Sequence, residues 1–182
     1  MCKLQRRGDL MAISGKLVSG SILGITAAFG IGVYYAQVYG YYETFDQGNV
    51  ALTLLKSGDP EGIPLLAFEG IDANSSPIRY RACFKTSLST EVLAETFTTV
   101  VNAEPRNAPD WFGCFDARQI GKDLESGIAT AYMGKANFEF GIDRIVAIYD
   151  DGRGFVWHQI NDCGDKLYDG SQASDNCPAK DQ

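Results

Sequence analysis

The chain has 182 residues and a formal net charge of −7 at pH 7. Residues 43–182 contain 12 basic and 22 acidic residues, a formal charge of −10. This balance argues against a nucleic acid or an anionic membrane surface as the partner of that part of the chain. The length suits one compact domain and one short additional segment.

The first predicted element is an uncharged segment of 26 residues, 17–42. A helix needs about 20 apolar residues to cross ~30 Å of hydrocarbon, whereas a signal peptide has an apolar region of about 7–15 residues. Bulky residues follow the segment, with no good cleavage site. The pattern therefore predicts an uncleaved transmembrane signal-anchor. A buried helix of a soluble protein would normally show a polar face.

The charges on either side of this segment predict its orientation. Basic residues precede it (Lys3, Arg6, Arg7 and Lys16), whereas acidic residues follow it (Glu43 and Asp46). Basic flanks favour the cytoplasmic side of a membrane. We therefore expect residues 1–16 to be cytoplasmic and the C-terminal domain to be periplasmic, in a bacterial inner membrane. Tyrosines at the outer end suit the headgroup layer.

Small residues recur every four positions along the segment: Gly20, Gly24, Ala28, Gly32, Ala36 and Gly40. Each step turns an α-helix by about 400°, so these residues form one winding groove. Small residues allow close contact between helices in lipid. The pattern favours docking to a membrane protein complex or self-association, although glycine and alanine are also common in membrane helices generally.

The rest of the chain predicts an α+β domain of β-hairpins with two inserted helices. Residues 43–62 are predicted to be a connector, followed by strands at 63–73 and 76–86. Ser89 is the predicted N-cap of a helix over 90–101, and a proline-rich loop follows. Further predictions are a helix over 117–127 between Asp116 and Gly127, a strand over 128–133, and a hairpin over 143–160.

The cysteines predict an oxidising compartment. Four of them follow the uncharged segment, whereas Cys2 precedes it. Three pairings are possible. We favour Cys83–Cys114 and Cys163–Cys177, because each closes a moderate loop. A zinc site of four cysteines is the alternative, but it normally needs closely spaced pairs, which are absent.

Three stretches of the domain resemble a family of small alphaproteobacterial proteins of unknown function: IDANSSPIRYRACF, PDWFGCFDA and FGIDRIVAIYDDGRGFVWHQINDCG. The resemblance implies one N-terminal membrane helix followed by about 130 residues. It implies no catalytic residues. Members sometimes carry the label "histidine kinase", which we reject because the only histidine lies in a predicted outer strand and the cytoplasmic segment is too short for a kinase domain.

The candidate ligand or partner contacts are Arg79, Arg81, Trp157 and His158. Arg79 and Arg81 are two residues apart, which places both on one face of the predicted strand, where they would grip an anion or form surface ion pairs. As a general base, His158 would need a nucleophile and an orienting acid that no motif provides. The alternative is that it packs beside Trp157 at the edge of the hairpin.

Acidic residues near the hairpin suggest calcium: Asp150, Asp151, Asp162, Asp165 and Asp169. The EF-hand pattern is absent, and Asp150, Asp151 and Gly152 are explained by turn chemistry. We expect no metal site and no cofactor.

Two functions follow from these features. The first is a non-catalytic, membrane-anchored accessory protein that binds no nucleic acid. The second is a periplasmic small-ligand sensor or hydrolytic enzyme that uses His158 with Arg79 and Arg81. Convergence of these three side chains on one cleft would favour the second function.

Overall fold

The computed structural model describes residues 14–171, 174 and 177–178. The chain divides into two compact units, 1–40 and 41–182. Cys2 and most of the basic flank, which lie in residues 1–13, are outside the described residues.

The first unit contains one long helix, as predicted. Helix α1 (Gly15–Tyr35) continues as a π turn (Ala36–Gly40), and none of these residues is buried. Together they are long and apolar enough to cross a membrane. A π turn closes hydrogen bonds from residue i to i+5. Its wider turn changes the rotation between Ala36 and Gly40, so Gly40 departs from the regular repeat of the other five small residues.

The second unit is built on a six-stranded antiparallel sheet of order β1-β4-β5-β8-β7-β6, with a separate β2–β3 hairpin. The strands are β1 (Glu43–Phe45), β2 (Val50–Thr53), β3 (Pro60–Ile63), β4 (Ala67–Asp72), β5 (Arg81–Lys85), β6 (Ala129–Glu139), β7 (Ile142–Tyr149) and β8 (Arg153–Ile160). Two helices, α2 (Thr90–Thr96) and α3 (Ala117–Glu125), complete a mixed α+β fold, as predicted.

Both faces of the sheet are covered. On one face, Ile145 and Trp157 pack against α3 and the loop that precedes it. On the other face, Val146 and Val156 pack with Leu52 of the β2–β3 hairpin and Leu93 of α2. Since successive strand residues point to opposite faces, β5, β6, β7 and β8 each supply residues to both cores.

The predicted capping residues and the predicted hairpin are confirmed. The side chains of Ser89 and Asp116 accept hydrogen bonds from the backbone N–H groups of Val92 and Gln119. Gly152, in the β7–β8 turn, has a φ of +80° and lies against the Thr86 carbonyl, so a Cβ there would collide with that oxygen. Glycine is therefore required at this turn, both because φ is positive and because a side chain would not fit.

The helix predicted over 90–101 is shorter than expected, and the strand predicted over 128–133 is longer. Helix α2 ends at Thr96 because the β-branched residues after it extend along the outer edge of β6, where Val100 N–H donates to the Ala131 carbonyl. The strand predicted over 128–133 reaches Glu139. Edge pairing satisfies the backbone groups that a longer α2 would have satisfied internally.

The segment 43–62, predicted as a connector, belongs instead to the folded domain. Strand β1 pairs with β4, and β2 pairs with β3. Val50 and Leu52 are buried. The short apolar stretch forms part of the core because it covers one face of the sheet, which a local pattern does not reveal.

The prediction of a strand over 76–86 is wrong for its first residues. A 3₁₀ turn (Pro77–Arg79) precedes β5, which begins only at Arg81. Proline at the first position of the turn fixes its backbone angle and lacks an N–H for a sheet. Arg79 and Arg81 therefore do not share a strand face.

Candidate functional site

His158 is held in a closed, neutral arrangement inside the sheet. It is 2% exposed, and its ring stacks between those of Tyr80 and Phe138, with centroids 4.9 and 4.7 Å away. The Nε2 atom accepts a hydrogen bond of 2.9 Å from Nε of Arg144. The Nδ1–H then donates to the Pro77 carbonyl at 2.6 Å. Both ring nitrogens are occupied, so this side chain has no free lone pair for a substrate.

Arg144 completes this arrangement. It lies directly opposite His158 on the neighbouring strand, and its guanidinium carbon is 4.3 Å from the centroid of Phe138 and 4.9 Å from that of Tyr80. Cation–π contact stabilises an arginine that burial would otherwise disfavour. The sequence analysis did not single out Arg144. The strand register of the hairpin was the signal that would have paired it with His158.

The prediction that His158 packs beside Trp157 at the edge of a hairpin is wrong. Strand β8 is paired on both sides, with β5 and with β7. Trp157 follows the alternation of the strand to the opposite face, where it is 0% exposed and packs against Phe115. The two side chains therefore belong to different cores.

We expect the free energy of unfolding to fall on acidification because of His158. Burial first, and then repulsion by Arg144 and Arg81, lower its pKa from 6.5 to about 4. Between these values the unfolded chain binds the proton and the folded chain does not, so stability is lost as pH falls from about 6.5 to 4. The expected loss is roughly 2 kcal/mol between pH 7.5 and pH 5, measured by urea denaturation.

His158→Gln is the matched control, because an amide can donate and accept but does not titrate in this range. His158 is the only histidine of the chain, so the variant should lose the pH dependence between 6.5 and 5. An unchanged slope in the variant would show that other groups cause it.

Arg81 is a buried cation that binds backbone carbonyls. It is 4% exposed, and its Nε and Nη2 donate to the carbonyls of Arg106 and Asn107 at 2.8 and 3.1 Å. Its Nη1 donates to the carbonyls of Ile78 and Tyr80. Burial lowers its pKa to about 10. The predicted surface ion pair is wrong for this residue, and its Nε and Nη2 join the 102–116 loop to the sheet.

Two further contacts hold the 102–116 loop on the sheet. The Gln159 side chain accepts from Glu104 N–H at 3.0 Å and donates to the Asn102 carbonyl at 3.0 Å. The disulfide Cys83–Cys114 joins the loop to β5. A long loop without helix or strand is thus fixed at its start, its middle and its end.

Both predicted disulfides, Cys83–Cys114 and Cys163–Cys177, are present. The alternative of a four-cysteine zinc site is wrong, since all four sulfurs are bonded in pairs. Among the described residues, one group of metal-ligand types gathers, Glu69 with Cys83 and Cys114. Its two sulfurs are the disulfide, so neither is a thiolate that a metal could bind.

The acidic residues considered for calcium lie at separate turns. Asp151 accepts from Nε of Arg153 at 2.6 Å, and Asp169 accepts from the Ser171 hydroxyl at 2.6 Å. Asp162 and Asp165 line a cavity of about 330 Å³. In the neighbouring turn, Asn161 donates to Asp143 at 2.7 Å. Hydrogen bonds within turns account for the positions of the Asp151 and Asp169 side chains.

Arg79 belongs to a half-buried cluster that we call the aromatic–arginine patch, made of Tyr42, Arg79 and Trp111. The Arg79 guanidinium carbon lies 5.6 Å from the Tyr42 ring centroid, and this ring meets Trp111 edge-on at 5.8 Å. The Nη1 atom of Arg79 is buried and has no hydrogen-bond partner among the described residues. The sequence analysis identified Arg79 but missed the two aromatic side chains that surround it.

Three more cavities open on the surface of the domain. One of about 810 Å³ lies between α3 and residues 100–105, and one of about 450 Å³ lies beside the Cys83–Cys114 disulfide. The third, of about 490 Å³, lies between β1 and Trp111. Arg79, Arg81, Trp157 and His158 line none of these cavities, nor the one at Asp162. Among the described residues, none of these four cavities brings the four side chains together.

The fold and these sites define a class of protein, a disulfide-braced α+β domain that follows an apolar helix long enough to cross a membrane. The chain belongs to a family of unknown function, DUF6446, whose model matches residues 50–178. The predicted resemblance to a family of unknown function is thereby confirmed, and its alphaproteobacterial origin stays a prediction. No curated protein and no solved structure matches the chain.

Proposed function

We propose that this protein is a non-catalytic, membrane-anchored interaction protein. Helix α1 with its π turn spans a bacterial inner membrane, and the acidic domain lies in the periplasm. The observation that carries the proposal is the 26-residue apolar helix, Gly15–Gly40, which has no buried residue. A helix that is apolar on all sides needs lipid or another helix around it.

Charge and sulfur chemistry support the proposed orientation. Basic residues precede the helix and acidic residues follow it, in agreement with the positive-inside rule. The two disulfides lie after the helix, and disulfides persist in oxidising compartments such as the periplasm. A cytoplasmic N-terminus and a periplasmic domain agree with both the charge distribution and the disulfides.

The arrangement of the titratable groups supports a non-catalytic role. His158 and Arg81 use their polar atoms within the fold, and the sulfurs of the four described cysteines are in disulfides. A sensor or hydrolase built on His158, Arg79 and Arg81 would need these side chains to face one cleft. Their positions in separate places favour the accessory role.

The face of the helix that carries the small residues is the proposed docking surface. Apart from the backbone of its own helical turns, a Cβ built on Gly20, Gly24 or Gly32 meets no atom within 4 Å, so a second helix has room for close backbone contact there. Such contact is the main source of helix association in lipid. The partner is a membrane protein or a second copy of this chain.

Replacing both Gly24 and Gly32 with leucine tests this surface. The added side chains should separate the two backbones, while the helix stays apolar enough to insert. We expect the variant to resist carbonate extraction from membranes and to form both disulfides. It should lose the dimer, or the co-purifying membrane protein, that the unaltered chain shows in mild detergent by size measurement and mass spectrometry.

Ile22→Leu and Phe29→Leu are the matched controls, because they lie off the small-residue face. They should leave the association intact. If the Gly24/Gly32 variant associates as well as the unaltered chain, the helix is an anchor alone. Extraction of the unaltered chain by carbonate would refute the membrane span.

A further inference from the structure

We propose that the aromatic–arginine patch is a lipid-contact surface that binds the headgroup of a zwitterionic phospholipid, with the Arg79 guanidinium on the phosphate. The inference rests on the proposed function, since it requires the N-terminal helix to span a bilayer. It adds a second membrane contact, made by the domain itself.

The chain places Tyr42 at the surface of the bilayer. Only Tyr41 lies between Gly40, the last residue of the helical segment, and Tyr42. Two peptide units limit the separation of the Cα atoms of Gly40 and Tyr42 to about 7.6 Å. The headgroup layer on each side of the hydrocarbon is roughly 5–7 Å thick. Tyr42 therefore lies in or next to this layer.

The other two residues of the patch contact Tyr42 and therefore lie at the same level. Arg79 and Trp111 both contact its ring, at 5.6 and 5.8 Å between centres. Neither is near Tyr42 in sequence, and both are held by rigid parts of the domain. Arg79 closes a 3₁₀ turn that starts with proline, and Trp111 lies in the loop that Arg81, Gln159 and Cys114 fix to the sheet.

The residue types suit this position. Tryptophan and tyrosine are enriched at membrane–water interfaces, where the ring is apolar and the polar atom stays hydrated. A guanidinium binds phosphate through planar paired hydrogen bonds. Arg79 is half-buried, and a lipid phosphate would contact the part of its side chain that stays accessible.

Charge around the patch selects the class of headgroup. Glu43 and Asp110, the chain neighbours of Tyr42 and Trp111, are exposed. The cavity beside Trp111 is lined by two further carboxylates, Asp46 and Glu69. These acids repel a headgroup that carries only negative charge and attract an ammonium group. A headgroup with both a phosphate and an ammonium therefore fits better than an anionic one.

Tryptophan fluorescence tests the inference in the full chain. The protein has two tryptophans, of which Trp157 is fully buried and Trp111 is partly exposed. The chain is reconstituted into phosphatidylcholine vesicles in which some lipid carries a spin label on its headgroup. We expect this label to quench the unaltered chain at least about twofold more than Trp111→Phe, since an interfacial tryptophan lies at the level of the label. A label deep in the acyl chains should quench little.

Arg79→Gln should reduce the quenching toward the level of Trp111→Phe, while Arg118→Gln, an exposed arginine of α3, should not. Circular dichroism checks that each variant is folded. A chain that carbonate extracts from the vesicles overturns the proposed span and this inference with it. A chain that resists extraction but shows no quenching of Trp111 overturns this inference alone.

Two comparisons test the ligand. Stronger quenching in phosphatidylglycerol vesicles than in phosphatidylcholine would overturn the assignment of a zwitterionic headgroup. An Arg79-dependent change in Trp111 emission on adding inorganic phosphate to the protein in detergent would identify a soluble anion as the ligand, and would overturn the assignment to lipid.

Discussion

Replacing Arg81 with methionine is expected to lower the free energy of unfolding by about 3–5 kcal/mol. The variant removes a side chain that donates to the carbonyls of four residues and leaves those carbonyls without these bonds. It also frees the middle of the 102–116 loop. Urea denaturation followed by circular dichroism measures the loss. Arg81→Lys should recover little of it, because one ammonium cannot reach both the loop carbonyls and those of Ile78 and Tyr80.

Arg118→Met is the matched control for this prediction. Arg118 lies on α3 and is exposed, so its replacement should change stability by less than about 0.5 kcal/mol. If Arg81→Met were as stable as the control, the loop would be held by Cys114 and Gln159 without Arg81. The structural role assigned to this arginine would then fail.

Replacing Cys83 and Cys114 with serine is expected to cost roughly 4 kcal/mol. The two residues are 31 positions apart, and closing a loop of that size removes about this much chain entropy from the unfolded state. The variant should unfold at a lower urea concentration than the unaltered protein, with the difference measured at one pH and temperature. Cys83 is buried, so a serine hydroxyl there adds a further small cost.

Replacing Cys163 and Cys177 is the comparison for this variant. That pair closes a shorter loop, with a separation of 14, and the same model gives roughly 3 kcal/mol. The larger effect is therefore expected for Cys83–Cys114. The opposite order would mean that the 102–116 loop stays on the sheet without its disulfide and that Arg81 and Gln159 suffice.

These two predictions bear on the proposed lipid contact. Arg81 and Cys114 both fix the 102–116 loop, which carries Trp111 of the aromatic–arginine patch. A surface that binds lipid gains from rigidity, because less conformational entropy is lost on contact. We therefore expect variants that loosen the loop to weaken the quenching of Trp111 as well as the fold.

Local signals in the sequence determined much of this protein. The apolar segment predicted the long helix, since length and the absence of charge are properties of adjacent residues. Ser89 and Asp116 predicted the starts of two helices because a cap acts within three residues. Asp150 and Gly152 predicted the β7–β8 turn for the same reason. The cysteine pairs followed from the moderate loops that they close.

Only the tertiary structure decided the roles of the polar residues. Histidine is a residue type common in catalytic sites, but the rings of Tyr80 and Phe138 enclose His158. Its Nε2 lone pair accepts a hydrogen bond from Arg144. Arg81 has the sequence pattern of a surface cation, yet it is buried among carbonyls. These environments come from residues that are 14 to 81 positions away in the case of His158. Burial and hydrogen bonding between distant segments set the chemistry of a side chain, and the hairpin register, which pairs Arg144 with His158, is the one part of that information that a local pattern contains.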